Sequence, residues 1–109
     1  ESYVSAVEKL EDGIIPVNFV LEQNYPNPFN PSTTITYSLP VKSTINLKIF
    51  NALGQEVVTL INNELLEPGQ YKVVWNGKDA SGKTMATGVY FYSLKAEGVN
   101  LIKKMLLIK

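Results

Sequence analysis

From Thr34 onward, apolar residues fall at every second position in one short run after another, a rhythm that leaves little choice of fold. In Thr34–Leu39 (TITYSL), Ile35, Tyr37 and Leu39 share one face, with Thr34, Thr36 and Ser38 on the other. Thr44–Asn51 sets Ile45, Leu47 and Ile49 against Asn46, Lys48 and Phe50, and Gln70–Asn76 aligns Tyr71, Val73 and Trp75. Gly88–Glu97 aligns Tyr90, Tyr92, Leu94 and Ala96, with Val89, Phe91, Ser93 and Lys95 opposite. Successive side chains of an extended strand point to opposite sides, so such runs read as half-buried strands. Glu56–Asn62 (EVVTLIN) and Leu101–Ile108 complete the series, and Phe19–Glu22 is a shorter apolar run. Pro40, Asn51–Gly54, Asn63–Gly69 and Gly98–Asn100 supply the turns and the loop between strands. No segment after Ser32 keeps a helical period for the ten or so residues a helix needs. The expectation is an all-β chain: an antiparallel two-sheet immunoglobulin-like β-sandwich of about seven strands.

With 109 residues the chain has material for one domain and one core. Residues 1–18 lack a clear pattern: Ser2–Leu10 alternates weakly, Glu11–Asp12–Gly13 signals a turn, and Pro16 discourages helix. They are expected to be a linker to an upstream domain, able to donate one strand to a neighbouring surface, with the sandwich over 19–109.

The residue inventory excludes much chemistry. Ten lysines balance ten acids, so no global field steers the chain towards nucleic acid or anionic lipid. There is no arginine, the preferred bidentate donor to guanine and phosphate, so no nucleic-acid partner is expected. Without histidine or cysteine there is no usual neutral-pH base, thiolate nucleophile or zinc ligand set. The chain is therefore expected not to be an enzyme and to need no cofactor or metal. No apolar run approaches the ~20 residues of a membrane-spanning helix. The N-terminal residues lack a signal-peptide layout, so an exported protein would carry this chain as part of a longer precursor.

One stretch argues against that picture. Gly77, Gly82, Lys83 and Thr84 satisfy G-x-x-x-x-G-K-[ST], the phosphate-binding loop of many nucleotide hydrolases. Such a loop needs a helix after it, whose N-terminal amides and dipole hold the phosphates. Here MATGVYFYSL follows, β-branched and aromatic and broken by Gly88. The only aspartates are Asp12 and Asp79, and neither ends a later apolar strand to hold magnesium. Asn76, Asp79 and Ser81 offer one carboxylate, too few for calcium. The stretch reads as the loop of a hairpin, and no nucleotide partner is expected.

Three further features carry information. Gly69–Gln70–Tyr71 and Gly88–Val89–Tyr90 repeat G-x-Y at two strand starts, where a buried tyrosine can return its hydroxyl to an upstream carbonyl. Tyr71, Trp75, Gly88 and Tyr90 are assigned structural roles on this basis. QNYPNPFNPS, with Pro26, Pro28 and Pro31 among three asparagines, reads as a rigid loop anchored by Tyr25 and Phe29. The ending NLIKKMLLIK places Lys103 and Lys104 side by side before Met105–Ile108, which is apolar on both faces. Such a strand either lies centrally in its sheet or is meant for a partner.

FVLEQNYPNPFNPSTTITYSLP, LKIFNALGQEVVTL, GQYKVVWNGKDASGKTMATGVYFYSL and the terminal KKMLLIK together resemble the C-terminal sorting domain (type A) of type IX secretion cargo. The middle portion, with W-x-G-x-D-x-x-G and G-V-Y, is also similar to the immunoglobulin-like domain of flagellar hook-capping proteins. The resemblance spans Phe19–Lys109. It implies a non-catalytic signal that directs a folded secreted protein through the outer membrane of a Gram-negative bacterium. The implied partners are an outer-membrane translocon, a sortase-like surface protease that removes the domain, and an upstream cargo domain in the same precursor. The implied location is the cell surface or the medium. Carried over by position, Pro26, Asn27 and Pro28 match the first motif, Gly88 and Tyr90 the central G-x-Y. Lys103, Lys104, Met105, Leu106, Leu107 and Ile108 match the terminal motif. The alternative is an accessory or adhesive immunoglobulin-like module for carbohydrate or protein, with Phe50 and Phe91 as its exposed aromatics.

Overall fold

The computed structural model describes residues 7–10 and 15–109. Among them are eight strands: β1 (Val7–Lys9), β2 (Val20–Leu21), β3 (Thr33–Leu39), β4 (Ser43–Asn51), β5 (Glu56–Leu66), β6 (Gly69–Trp75), β7 (Gly88–Ala96) and β8 (Val99–Leu107). They form two antiparallel four-stranded sheets, ordered β1-β6-β3-β2 and β5-β4-β7-β8. The fold is the immunoglobulin-like sandwich that the alternating pattern requires.

The faces predicted from the period are the faces observed. Ile35, Tyr37, Leu39, Ile45, Leu47, Ile49, Val73, Trp75, Tyr92 and Leu94 are all inaccessible to solvent. Each fully buried aliphatic or aromatic side chain contributes about 1.5–3 kcal/mol of transfer free energy, so these inner faces dominate stability. Tyr37 and Tyr71, opposite each other on β3 and β6, stack with centroids 5.6 Å apart at 15°.

Two elements depart from expectation. Val7–Lys9, inside the segment expected to be a linker, pairs with β6 through Val7↔Val73, Glu8↔Lys72 and Lys9↔Tyr71. Leu10 N–H extends this pairing to the Gln70 carbonyl (2.7 Å), so the weak alternation before Leu10 serves an edge strand of the chain's own sheet. The expected Glu11–Gly13 turn lies outside the described residues. The second departure is β5, which runs to Leu66 instead of ending near Asn62. Its pairing with β4 is interrupted by register shifts, and Asn63 takes a left-handed φ of 51°. Asn46 and Asn63 face each other across the irregularity: the Asn46 Oδ1 accepts from Asn63 N–H, and Asn46 Nδ2 donates to Asn63 Oδ1, both at 3.0 Å. Asparagine tolerates that conformation better than other non-glycine residues, so a turn-like residue becomes a bulge within a longer strand.

β8, apolar on both faces, lies at the edge of its sheet and not at its centre. What compensates for that position is the proline loop.

Candidate functional site

The loop between β2 and β3 is built around Asn24, a buried polar residue. Its Nδ2 donates to Thr33 Oγ1 (2.9 Å) and the Pro26 carbonyl (3.1 Å), and its Oδ1 accepts from Gln23 Nε2 (2.7 Å). Thr33 Oγ1 in turn donates to the Pro26 carbonyl (2.9 Å). From the other sheet, the Tyr92 hydroxyl donates to the Glu22 carbonyl (2.6 Å) and accepts from Asn24 N–H (2.8 Å). Burial, opposed in part by that amide, pushes the Tyr92 hydroxyl up to about 12, so it stays protonated as the donor this arrangement needs.

The aromatic anchors are not the pair expected. Phe29 is buried, with its ring 5.6 Å from Trp75, which meets Tyr90 edge-on at 5.5 Å. Tyr25, expected as the second anchor, is 80% exposed. Its backbone bridges Thr34 in both directions at 2.9 Å, which turns its side chain outward and puts Asn24 inside. The Tyr25–Pro26, Asn27–Pro28 and Asn30–Pro31 bonds are cis.

The loop then runs along the outer edge of β8. Phe29 N–H donates to the Leu106 carbonyl and Ile108 N–H to the Phe29 carbonyl, both at 3.0 Å, a parallel bridge between Phe29 and Leu107. Leu106 N–H donates to Asn27 Oδ1 (3.0 Å), and Gln23 Nε2 donates to the Lys104 carbonyl (2.7 Å). Edge strands present unpaired backbone groups, and this loop satisfies them from Lys104 to Ile108. Pro26–Pro28 and Lys103–Ile108, far apart in sequence, thus form one surface.

Within that surface the residues divide. Pro26, Asn27, Pro28, Lys103 and Lys104 are exposed, Leu106 is half-buried and Ile108 is 42% exposed. Met105 and Leu107 point their side chains into the core. A shallow pocket of about 220 Å³ opens between Asn27, Val89, Lys104, Met105 and Leu106. Asn24, Gln23, Thr33 and Tyr92, which hold the loop in place, carried no distinguishing sequence pattern beyond the density of asparagine.

The residues assigned structural roles lie at corners. The Tyr71 hydroxyl donates to the Glu67 carbonyl and the Tyr90 hydroxyl to the Ala86 carbonyl, each 2.7 Å away and four residues upstream. Gly88 opens β7, and Trp75 Nε1 donates to the Lys78 carbonyl (2.9 Å).

The nucleotide-binding pattern occupies the connection from β6 to β7, with no helix after it. Asp79 Oδ1 accepts from Ser81 Oγ (2.8 Å), Ser81 N–H (3.0 Å) and Lys83 N–H (2.9 Å). Amides that would cradle a phosphate are committed to the chain's own carboxylate, and the Ser81 hydroxyl and Lys83 amide hold that carboxyl below its ordinary range. Among the described residues, no three His, Cys, Asp or Glu side chains converge as a metal site, and no helix is long and apolar enough to cross a membrane.

On the outer face of the second sheet, Phe50 on β4 sits opposite Phe91 on β7, both half-buried. They line an open groove of about 420 Å³ with Gly54, Ser93, Lys95, Asn100 and Ile102.

Residues 30–100 match the profile of the FlgD Ig-like domain family. Dimeric latent PorU from Porphyromonas gingivalis superposes with a TM-score of 0.64 at 20% identity, over 91% of this chain and 10% of PorU. PorZ, an essential bacterial surface component of the type-IX secretion system of the same organism, gives 0.56 at 22%, over 80% of this chain and 11% of PorZ. FlgD from P. aeruginosa gives 0.55 at 23%, over 69% of this chain and 60% of FlgD. These likenesses show a shared fold, and the chain spans only about a tenth of PorU and PorZ. No curated protein sequence matches significantly.

Proposed function

The chain belongs to the FlgD Ig-like domain family, and from that premise we propose that it is a non-catalytic sorting module for type IX secretion. In this reading it is attached to an upstream cargo domain, carries that cargo folded through the outer membrane, and is processed at the cell surface. Its partners are an outer-membrane translocon and a sortase-like surface protease. The observation that carries the reading is the junction of the Pro26–Phe29 loop with β8. Pro26–Phe29 and Lys103–Ile108 both lie outside the 30–100 match to the family. A signal on folded cargo has to be legible on a folded surface, and two distant segments clasped together form such a surface. The likeness to PorZ, a surface component of a type-IX system, supports the same direction.

The test is export of a neutral reporter fused to residues 1–109 in a host with type IX machinery. Deleting Lys103–Lys109 would also remove Met105 and Leu107 from the core, so point variants are the cleaner probe. Asn27→Ala, and Lys103→Glu combined with Lys104→Glu, change exposed side chains and are expected to block surface delivery while the domain stays folded. Normal delivery of both folded variants would sink the reading.

A second reading rests on the Phe50–Phe91 pair, which gives the outer face a paired aromatic floor suited to an accessory or adhesive module. Glycan titration monitored at these rings, with no measurable affinity, would remove carbohydrate from it.

A further inference from the structure

The outer face of the second sheet sets rings and cations in one register. Phe50 lies opposite Phe91, and Phe91 opposite Lys104, so one row across β4, β7 and β8 ends in an ammonium group. Lys48, Ser93 and Ile102 form the next row, and Asn46, Lys95 and Asn100 the third. Residues two apart in a strand share a face, so all three rows point the same way. The groove of about 420 Å³ runs along them, from Gly54 in the β4–β5 turn to Lys95 and Asn100. Ile102 is 59% exposed beside the rings. Ser93 Oγ donates to Asn100 Oδ1 (2.9 Å), which leaves the Asn100 Nδ2 donors for a ligand.

The charge on this face is one-sided. Lys48 is engaged by Glu56 at 3.4 Å. Lys95 and Lys104 are exposed and, among the described residues, pair with no acid, Glu97 in the β7–β8 turn included. At ~3.3 Å per residue, Lys95 stands roughly 13 Å along the strand from the row that holds Phe91 and Lys104. Two uncompensated cations thus flank the rings in a chain with no net charge. The surroundings select the occupant. β4 and β7 are inner strands, paired on both sides, so this floor offers no backbone groups to an extended peptide. A folded partner needs about 800 Å² from each side, roughly 20–30 residues, far more than the handful of side chains here. The volume is that of a small-ligand site. Sugar rings bring apolar C–H faces for aromatic rings and hydroxyls for amides, and uronates add carboxylates for ammonium groups.

We propose that this groove binds an acidic oligosaccharide. Its C–H faces lie over Phe50 and Phe91, its hydroxyls meet Asn100 and Ser93, and its carboxylates meet Lys95 and Lys104. The rings and Ile102 supply apolar contact, and the two cations select acidic over neutral sugars. This deepens the accessory-module reading, on which it rests, and draws nothing from the export reading.

Tetragalacturonate and maltotetraose, one acidic and one neutral tetrasaccharide, test it by NMR titration of the ¹⁵N-labelled chain. Tetragalacturonate is expected to shift the Phe91 and Ser93 amides and the Asn100 side-chain amide, and to bind about tenfold or more tighter than maltotetraose. Lys95→Gln with Lys104→Gln is expected to remove that preference with the melting temperature nearly unchanged, since both side chains are exposed. Phe91→Leu keeps an apolar side chain, removes the ring and is expected to weaken tetragalacturonate about fivefold. Absence of shifts at these residues with either sugar overturns the proposal and takes carbohydrate out of the accessory reading. Equal affinities, or a preference for maltotetraose, overturn acid selection and leave that reading standing. A tetraglutamate peptide that binds as tightly as tetragalacturonate, or unchanged affinity in Phe91→Leu, reveals plain charge attraction and likewise overturns the proposal.

Discussion

Among the described residues four tyrosine rings are buried, and their hydroxyls fare differently. Tyr71 and Tyr90 each reach a carbonyl four residues back, and Tyr92 serves two backbone groups of the proline loop. The Tyr37 hydroxyl is buried with no hydrogen-bond partner among the described residues, and burial pushes its pKa up strongly. Removing a satisfied hydroxyl orphans its partners, whereas removing an unsatisfied one relieves a desolvation cost. Tyr92→Phe is therefore expected to destabilise by about 1–3 kcal/mol and to raise hydrogen exchange at Asn24, while Tyr37→Phe is expected to be neutral or stabilising. Denaturant titration of both variants checks the difference in sign. Raised tyrosine pKa values also set an alkaline limit. The stability contributed by Tyr92 is complete below the ordinary tyrosine value near 10 and is lost as pH rises through about 12. Unfolding midpoints measured from neutral pH upward are expected to fall above about pH 10, less steeply in Tyr92→Phe. The G-x-Y spacing made the corner tyrosines legible in advance. Nothing local marked Tyr92 as the residue that ties the two sheets to the loop, because its partners lie about 70 residues away.

At the scale of elements, the β6–β7 connection shows why a motif match needs its structural context. Gly77 and Gly82 both take left-handed φ, at +77° and +90°. A Cβ on Gly77 would also stand 2.8 Å from the Pro31 carbonyl oxygen, whereas one on Gly82 would meet nothing within 4 Å. Gly82→Ala is expected to cost about 1–2 kcal/mol of backbone strain, and Gly77→Ala more, because the proline loop must also shift. Thermal melts of the pair separate strain from contact. Asp79 adds an acid dependence: its depressed pKa means that its contribution holds above the ordinary carboxylate range and disappears as pH falls through the lowered value. The strands themselves were largely readable, since a period of two records which face is buried. The proline loop was less so. Outside a ladder no period dictates side-chain direction, which is why Tyr25, expected as an anchor, is exposed while Asn24 is buried. The extension of β5 escaped for a related reason: a bulge absorbs Asn63, and local composition marks the same residue as a turn.

Across the whole molecule, β8 joins the core and the candidate signal in one strand. Leu107 is buried and Ile108, one position on, is 42% exposed. Leu107→Ala is expected to cost about 2–5 kcal/mol and to release the proline loop with it. Ile108→Ala is expected to leave stability within about 0.5 kcal/mol. Limited proteolysis near Asn30, with melting curves for both variants, checks this. The sequence by itself determined the class of fold, the inner face of nearly every long strand and the absence of a usual catalytic inventory, because alternation and residue type are local properties. Only the tertiary structure decided that β8 sits at an edge, that Val7–Lys9 pairs with β6, and that the proline loop and the terminal strand meet. Those outcomes depend on which backbone groups find partners across long stretches of chain, and period-two patterning says which side of a strand is buried without saying what lies beside it.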